Sequence, residues 1–207
     1  PAAVLLKGVV TFAFFGTDAY LSLAVTSVRH RSVTTAGIAL TAATLSWTAG
    51  AWVHAHRSGH HPPRRLIAVG LSFIAVGIVM MIAALNQSVP VAAFVVGWGV
   101  AGFGMGIAYQ SVTLAVLAEA PTGQEGVASA AQQIMDLLGV AVGTGVVGAI
   151  VAVGETAGWS RAAALRLGFA ITLGAAVAGV VLTRRLRLTD AAAPAAGAAP
   201  RSAPSSG

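Results

Sequence analysis

Six long apolar runs, almost free of charge, constrain this sequence more than any other feature. They cover residues 4–28, 35–53, 66–84, 91–117, 127–151 and 162–182. A helix of about 20 apolar residues is long enough to cross the hydrocarbon core of a bilayer. Only 9% of the residues are charged and 57% are hydrophobic, whereas soluble domains carry about 25% charged residues. The sequence therefore predicts an all-α membrane protein with six transmembrane helices.

The basic residues are distributed unevenly between the loops. If the N-terminus is cytoplasmic, the cytoplasmic side holds Lys7, Arg57, Arg64, Arg65, Arg184, Arg185 and Arg187, and the outer side holds Arg29, Arg31, Arg161 and Arg166. Lys and Arg are retained on the cytoplasmic side of membrane proteins. We therefore expect a multi-pass protein of the cell inner (plasma) membrane, with both termini of this segment in the cytoplasm.

The composition divides the chain into two regions. Residues 1–188 are predicted to form the six-helix transmembrane bundle. Residues 189–207 consist mainly of Ala, Pro, Gly and Ser and cannot bury enough apolar surface to offset the entropy of ordering, so a disordered cytoplasmic tail is expected. The chain begins at Pro1 rather than at Met, and we expect it to be part of a longer protein.

Charge and composition also argue against several ligands. The net charge of +6 does not indicate nucleic-acid binding, because the basic residues lie in loops and form no face interleaved with exposed aromatic residues. The absence of cysteine excludes disulfides and thiolate metal sites. The histidines at positions 54, 56, 60 and 61 have no carboxylate or cysteine beside them to complete a metal shell. No metal and no cofactor is predicted.

Polar residues inside the spans form stripes on four of the six helices. Residues at helical spacing share a face. On the first and second helices the stripes comprise Thr11, Asp18 and Ser22, and Thr41, Thr44 and Thr48, respectively. On the fourth and fifth helices they comprise Tyr109, Gln110 and Thr113, and Ser129, Gln132, Gln133 and Asp136, respectively. The third and sixth helices are almost uniformly apolar. This pattern predicts two three-helix repeats, the organisation of one half of a facilitator-type transporter.

Two carboxylates lie within the spans. Counted from the helix starts at 1.5 Å per residue, Asp18 and Asp136 are at depths of roughly 21 and 14 Å, so both can face one cavity. A charged Asp in mid-membrane costs about 2.5 to 3.5 kcal/mol on insertion scales and is usually functional. Asp18 and Asp136 are therefore candidates for proton coupling. The alternative is a structural hydrogen bond to Gln132, to Tyr109 or to a part of the protein outside this chain.

Other polar residues and glycines have less specific roles. The hydrogen-bonding residues on the striped faces are candidates to contact a substrate or to bond one another: Thr11, Ser22, Thr41, Thr44, Tyr109, Gln110, Gln132 and Gln133. Two pairs of glycines at a spacing of four, Gly102 with Gly106 and Gly139 with Gly143, favour close helix packing in a membrane.

Four stretches of the sequence resemble the major facilitator superfamily, in particular a bacterial drug-efflux-like member. The segment PTGQEGVASAAQQIMDLLGVAVGTG is similar to the entry into the eleventh of that family's twelve helices. The opening FFGTDAYLSLAVTSVR and the following TTAGIALTAATLSWTAGAW are similar to actinobacterial members. The loop between the second and third helices resembles the second copy of a glycine- and arginine-containing cytoplasmic motif, through Gly50, Arg57, Gly59, Arg64 and Arg65. That loop departs from the motif, because His54 and His56 stand where the family has an acid.

The resemblance covers residues 4–187 and implies the C-terminal six-helix half of a transporter. It further implies alternating access against an N-terminal six-helix half that this chain lacks. The function expected is secondary active transport, proton-coupled efflux of small amphipathic or drug-like molecules. The alternative is a non-transporting six-helix membrane scaffold or sensor subunit. An enzyme is not predicted, because no span holds a His or Cys and the two aspartates lack the glycine-rich surroundings of an aspartyl protease dyad.

Overall fold

The computed structural model describes residues 2–185, and over this range it is entirely helical. Six helices in the described range are long and apolar enough to cross a membrane. They are α1 (Ala2–Val28), α2 (Val33–Arg57), α3 (Pro63–Ala84), α4 (Ala92–Ala118), α5 (Glu125–Thr156) and α6 (Arg161–Arg185). The predicted all-α fold with six membrane-crossing helices is thereby confirmed. The tail predicted at 189–207 lies outside the described residues.

The helices run alternately up and down, which defines two ends of the bundle. The inner end holds the start of α1 and the loops 58–62 and 119–124, and the outer end holds the loops 29–32, 85–91 and 157–160. Under the orientation predicted from the basic residues, the inner end faces the cytoplasm.

Helix α1 is interrupted directly after Asp18. Its regular part is Ala2–Asp18, followed by one α-helical turn at Leu21–Leu23 and a π-helical turn at Ala24–Val28. Tyr20 occupies the break, with φ −105° and ψ 4°, and its hydroxyl donates to the carbonyl of Thr144 on α5 at 3.0 Å. π-helical turns inside α-helices are frequent at functional sites. The break places Asp18 at the end of a helix inside the bundle.

Helix α5 is longer than its apolar run predicts. It extends to Thr156, whereas the prediction ended at 151, and its 32 residues measure about 48 Å against a hydrocarbon core of roughly 30 Å. The helix ends where Gly158 adopts a φ of 73° and the Trp159 amide bonds back to the Gly154 carbonyl at 2.8 Å. Hydropathy detects only the apolar part of a helix, so the final turn was missed.

The helices pack in a way that repeats between the two halves of the chain. Helix α1 packs along α5 as α4 packs along α2, and α3 packs along α6. The first three helices therefore occupy positions equivalent to the last three, in agreement with the predicted three-helix repeats. Helices α1 and α4 form the centre, each 56% buried over its apolar window, whereas the corresponding values for α2 and α5 are 22% and 28%. The outer faces of α2 and α5 are the most exposed surfaces of the described bundle.

Glycines allow the two equivalent helix pairs to approach closely. Gly102 and Gly106 of α4 lie against the backbone of α2 near Ala43, Trp47 and Gly50, where an added Cβ atom would collide with backbone atoms. Gly139 and Gly143 of α5 lie in the same way against Gly8, Thr11, Phe12 and Gly16 of α1. Close backbone approach replaces the hydrophobic driving force between helices in lipid. The structure thus places both predicted glycine pairs at helix crossings.

Candidate functional site

A lysine, a tyrosine and an aspartate from three helices meet in the inner half of the bundle. The hydroxyl of Tyr109 on α4 donates to Oδ2 of Asp136 on α5 at 2.5 Å. The ammonium of Lys7 on α1 lies over the face of the same tyrosine ring, with Nζ 2.7 Å from the ring centroid. One aromatic ring therefore separates a positive charge from a negative charge, and a cation over an aromatic face is attracted by the ring quadrupole.

Two further side chains extend this group, which we call the Lys7 cluster: Lys7, Tyr109, Thr113, Gln132 and Asp136. Oγ1 of Thr113 accepts hydrogen bonds from Lys7 Nζ at 3.1 Å and from Gln132 Nε2 at 3.3 Å. The same hydroxyl donates to the Tyr109 carbonyl at 2.8 Å. Oδ1 of Asp136 and Oε1 of Gln132 are buried and accept no hydrogen bond within the described residues. These two oxygen atoms can therefore accept further hydrogen bonds, close to Lys7, the one cation of the cluster.

The close crossing of α1 and α5 positions this cluster. Gly8 of α1 faces Met135, and Gly139 of α5 faces Gly8 and Thr11, so Lys7 and Asp136 each lie one residue from a contact between the two helices. Helices α4 and α5 touch each other only over a short stretch. The hydrogen bonds between α4 and α5 in the described chain therefore come from two pairs of side chains, Tyr109 with Asp136 and Thr113 with Gln132.

The sequence prediction missed the role of Lys7. It counted Lys7 among the cytoplasmic loop charges, yet the side chain is fully buried, with 0% of its surface exposed. A signal was present, because Lys7 is four residues before Thr11 and eleven before Asp18, spacings that place all three on one helix face. An amine buried in a membrane helix is costly unless it is paired, so its position beside Asp136 has a physical reason.

Asp18 lies in a different environment, towards the outer end. Its Oδ1 accepts a hydrogen bond from Nε1 of Trp98 on α4 at 2.7 Å, and no cationic side chain in residues 2–185 forms an ion pair with it. Asp18 is eleven residues beyond Lys7 on α1, and Trp98 is eleven residues before Tyr109 on α4. At 1.5 Å per residue the two sites are about 16 Å apart along the helices. The predicted pair of carboxylates therefore occupies two separate sites, too far apart to act as an aspartyl dyad.

Aromatic rings connect the two sites. Phe14 stacks on Trp98 with ring centroids 4.8 Å apart and meets Trp47 of α2 edge to face at 5.8 Å. Trp47 in turn lies 5.7 Å from Tyr109, and Phe15 lies 6.3 Å from Trp47. Trp98 and Phe14 are buried, whereas Phe15, Trp47 and Tyr109 are partly exposed. The partly exposed rings form an apolar surface between the Lys7 cluster and Asp18.

The remaining predicted cavity residues are dispersed. Thr11 is fully buried, and its hydroxyl donates to the carbonyls of Lys7 and Gly8 beside Gly139, so it belongs to the α1–α5 contact. Thr41 and Thr44 are exposed on α2 and donate to carbonyls of their own helix. Gln110 is partly buried, and Gln133 and Ser22 are exposed. Of the predicted coupling and cavity residues, only Tyr109, Gln132 and Asp136 come together with Lys7, beside Thr113 of the same polar stripe as Tyr109.

The predicted cytoplasmic loop motif is mostly helical. Gly50 lies inside α2 at its crossing with α4, and Arg57 is the last residue of α2. Gly59 lies in the loop, and Arg64 and Arg65 begin α3. The expected loop is thus only five residues long, because α2 continues beyond its apolar run.

Within residues 2–185 no three His, Cys, Asp or Glu side chains lie close enough together to hold a metal ion.

Comparison with known proteins supports the fold. No protein-family model matches the sequence, and no curated protein sequence matches it. The crystal structure of a mutant of the peptide transporter POT in complex with alafosfalin has a similar fold, with a TM-score of 0.70 and 17% sequence identity. The similarity covers 92% of this chain and 38% of that chain. The six helices therefore share the fold of the matching part of that transporter structure, and the chain spans little more than a third of that structure's length.

Proposed function

We propose that this chain is the C-terminal six-helix half of a secondary active transporter of the major facilitator type, and that Asp136 couples transport to proton movement. The observation that carries the proposal is the Lys7 cluster, in which a carboxylate and an ammonium contact the same tyrosine inside a bundle of transporter fold. Buried ionisable residues in membrane helices are functional by default. The multi-pass topology and the likeness to a transporter structure support the same conclusion.

The coupling follows from the charge balance of the cluster. While Asp136 is ionised, its charge compensates that of Lys7 across the Tyr109 ring. Protonation of Asp136 removes this compensation and leaves the Lys7 ammonium as an unbalanced buried charge, which is strongly unfavourable. This electrostatic cost falls if α4 and α5 separate. The hydrogen bonds of the Lys7 cluster are what joins these two helices, so a change in the cluster acts directly on their contact. Proton uptake at Asp136 therefore favours a second arrangement of the bundle.

Asp18 is assigned a positioning role in this proposal. Its partner, the Trp98 indole, is buried, stacked on Phe14, and donates to a carboxylate or, more weakly, to the carbonyl oxygen of a protonated acid. A change of protonation at Asp18 therefore leaves its hydrogen bond in place. Asp18 stays a candidate for proton coupling, but the absence of a paired cation in the described residues makes Asp136 the stronger one.

The substrate is proposed to be a small amphipathic or drug-like molecule that is exported. The partly exposed rings of Phe15, Trp47 and Tyr109 supply an apolar surface, and the partly exposed Gln110 supplies hydrogen-bonding groups at its inner edge. Ligand sites of this kind combine aromatic walls with a few polar groups. The exposed faces of α2 and α5 are proposed to face the N-terminal six-helix half, and both ends of the segment are proposed to be cytoplasmic.

Transport by the complete gene product in proteoliposomes tests the proposal. A panel of cationic dyes is loaded, and flux is followed with and without an imposed pH gradient, for the unaltered protein, Asp136→Asn and Asp18→Asn. We expect Asp136→Asn to lose the flux that depends on the gradient while retaining exchange of dye between the two sides. Full gradient-driven flux in Asp136→Asn would overturn the assignment of Asp136. A complete lack of dye transport by the unaltered protein would favour the scaffold or sensor alternative.

A further inference from the structure

A cleft opens at the inner end of the bundle, between the first turns of α3 and the last turn of α6. It has a volume of about 350 Å³. Its lining comprises three arginines and three uncharged residues: Arg64, Arg65, Arg184, Ala68, Val69 and Thr183. Arg184 is 119 residues from Arg65 in sequence, so the cleft exists only because α3 and α6 pack side by side. The bundle thus brings three guanidinium groups to one small opening.

The positive charge of this cleft is not balanced by an acidic side chain within residues 2–185. None of the three arginines forms an ion pair with an acidic side chain of residues 2–185. Arg64 and Arg65 also lie in the first turn of α3, where the helix dipole is positive and cations are disfavoured. Three like charges beside a helix N-terminus repel one another. An anion in the cleft relieves that repulsion, and guanidinium groups bind phosphate with two parallel hydrogen bonds.

An apolar surface continues from the cleft towards the middle of the membrane. Val69 is 46% exposed at the cleft, and further exposed apolar side chains follow on both helices: Phe73 and Val76 on α3, and Val177, Val181 and Leu182 on α6. The spans of both helices are almost free of polar residues, as suits helices that face lipid. A ligand that fits has an anionic head for the arginines and hydrocarbon chains for this surface.

We propose that the cleft between α3 and α6 binds the phosphate headgroup of an anionic phospholipid, with the acyl chains along the exposed faces of the two helices. Basic pockets between membrane helices are suited to such headgroups, and each Lys or Arg near the surface adds to the attraction. The site is separate from the Lys7 cluster and does not depend on the transport activity proposed above.

A second arginine-containing cleft, at the outer end, provides an internal comparison. It has a volume of about 420 Å³, and its charged lining consists of Arg161 and Arg166 beside Asn86 and Gln87. There Arg161 Nε already lies 3.2 Å from Oε1 of Glu155. The outer cleft therefore has two guanidinium groups, one of them in an ion pair, whereas the three of the inner cleft form no ion pair with the acidic side chains of the described range. The proposed lipid binds at the inner cleft.

Native mass spectrometry of the full purified chain in detergent tests the proposal. The protein is titrated with phosphatidylglycerol, with phosphatidylcholine of the same chains, and with sodium phosphate. We expect phosphatidylglycerol to bind at least about tenfold more tightly than phosphatidylcholine. The variant Arg64→Gln/Arg65→Gln/Arg184→Gln should lose this preference, because each arginine removed weakens binding by about fivefold, on the order of 100-fold for the three.

A matched control removes the same amount of charge elsewhere. The variant Arg31→Gln/Arg57→Gln/Arg161→Gln changes three exposed arginines that do not line the inner cleft, and its preference for phosphatidylglycerol should stay within about twofold of the unaltered protein. If the first variant does not fold, as judged by its circular dichroism and elution volume, the single change Arg184→Gln should still weaken binding by about fivefold.

Three results would overturn the proposal. One is undiminished phosphatidylglycerol binding by the Arg64/Arg65/Arg184 variant, which would place the lipid elsewhere. Another is equal binding of phosphatidylcholine and phosphatidylglycerol by the unaltered chain. A third is complete displacement of phosphatidylglycerol by millimolar sodium phosphate, which would show that the cleft binds a free anion rather than a lipid.

Discussion

Asp136 and Asp18 are both held by an aromatic side chain of α4, but only one of them has a cation nearby. Asp136 accepts a hydrogen bond from Tyr109, whose ring carries the Lys7 ammonium on its face. Asp18 accepts a hydrogen bond from Trp98, and among residues 2–185 it has no basic partner. The two sites are eleven residues apart on both α1 and α4. The same pair of helices thus contains a charge-balanced site and an unbalanced one.

This difference implies that Asp136 acts as a protonation switch, whereas Asp18 forms a fixed contact. Protonation at Asp136 changes the charge that a buried lysine experiences, so its effect spreads to three helices. Protonation at Asp18 leaves the Trp98 hydrogen bond intact and affects mainly the end of a broken helix. The following predictions test this comparison, in order of decreasing effect.

The largest effect is expected from removing the cation. Lys7→Met should lower the free energy of unfolding by about 3 kcal/mol, the low end of the range for a buried charge pair, because it leaves the partly buried Asp136 carboxylate without its cation. Adding Asp136→Asn should recover part of this loss, whereas adding Asp18→Asn should be additive within about 0.5 kcal/mol because the sites are distant. Denaturant unfolding in mixed micelles measures Lys7→Met, the single variants Asp136→Asn and Asp18→Asn, and the two double variants. Additivity of Lys7→Met with Asp136→Asn would show that the two charges are not coupled.

A smaller loss is expected from the tyrosine hydroxyl. Tyr109→Phe keeps the ring under Lys7 and removes the hydrogen bond to Asp136, which should cost about 1.5 to 3 kcal/mol because the acceptor is charged. Unfolding in the same micelles gives the stability. The pH profile of dye flux should change in this variant as well, since Asp136 loses its bridge to α4. An unaltered pH profile would show that Tyr109 takes no part in proton coupling.

The corresponding change at the second site should affect stability without affecting coupling. Trp98→Phe removes the indole N–H from Asp18 and keeps an aromatic ring against Phe14, at a cost of about 1 to 3 kcal/mol for the unsatisfied acceptor. The ratio of gradient-driven flux to dye exchange should equal that of the unaltered protein. A loss of gradient-driven flux with unchanged dye exchange would indicate that Asp18, rather than Asp136, is the proton-coupling residue.

The smallest effects are expected from two neighbouring glutamines. Gln132→Ala removes a hydrogen bond to Thr113 between α5 and α4 and should cost about 1 kcal/mol. Gln133→Ala changes an exposed residue and should stay within about 0.5 kcal/mol of the unaltered protein. Equal stabilities of the two variants would indicate that the Gln132 hydrogen bond does not hold α4 and α5 together.

The sequence was sufficient for the helices and their repeat, and insufficient for the partners of each aspartate. Uncharged runs of about 20 residues define membrane helices without reference to the rest of the chain, which is why six spans and the apolar third and sixth helices were predicted. The hydrogen bond between Trp98 and Asp18 spans 80 residues and depends on how α1 crosses α4. Hydropathy and periodicity contain no information on that crossing.

Lys7 illustrates an error of a different kind. It lies five residues from the start of α1, and a charge so close to a helix end is normally placed in water, where it costs nothing. Its helical spacing to Thr11 and Asp18 indicated the inner face, but its burial required the tight α1–α5 contact at Gly8 and Gly139, which only the packed structure reveals. Tyr109 was identified from the sequence as a partner for a carboxylate, because it lies on the polar stripe of α4.

The most direct test of the central claim is a measurement of proton movement during transport. The complete gene product is reconstituted in vesicles containing a trapped pH-sensitive dye, and a gradient of the transported dye is imposed without a pH gradient. The unaltered protein and Asp18→Asn should both change the internal pH as substrate moves. Asp136→Asn should move substrate with no change of pH. A pH change in Asp136→Asn equal to that of the unaltered protein would contradict the account.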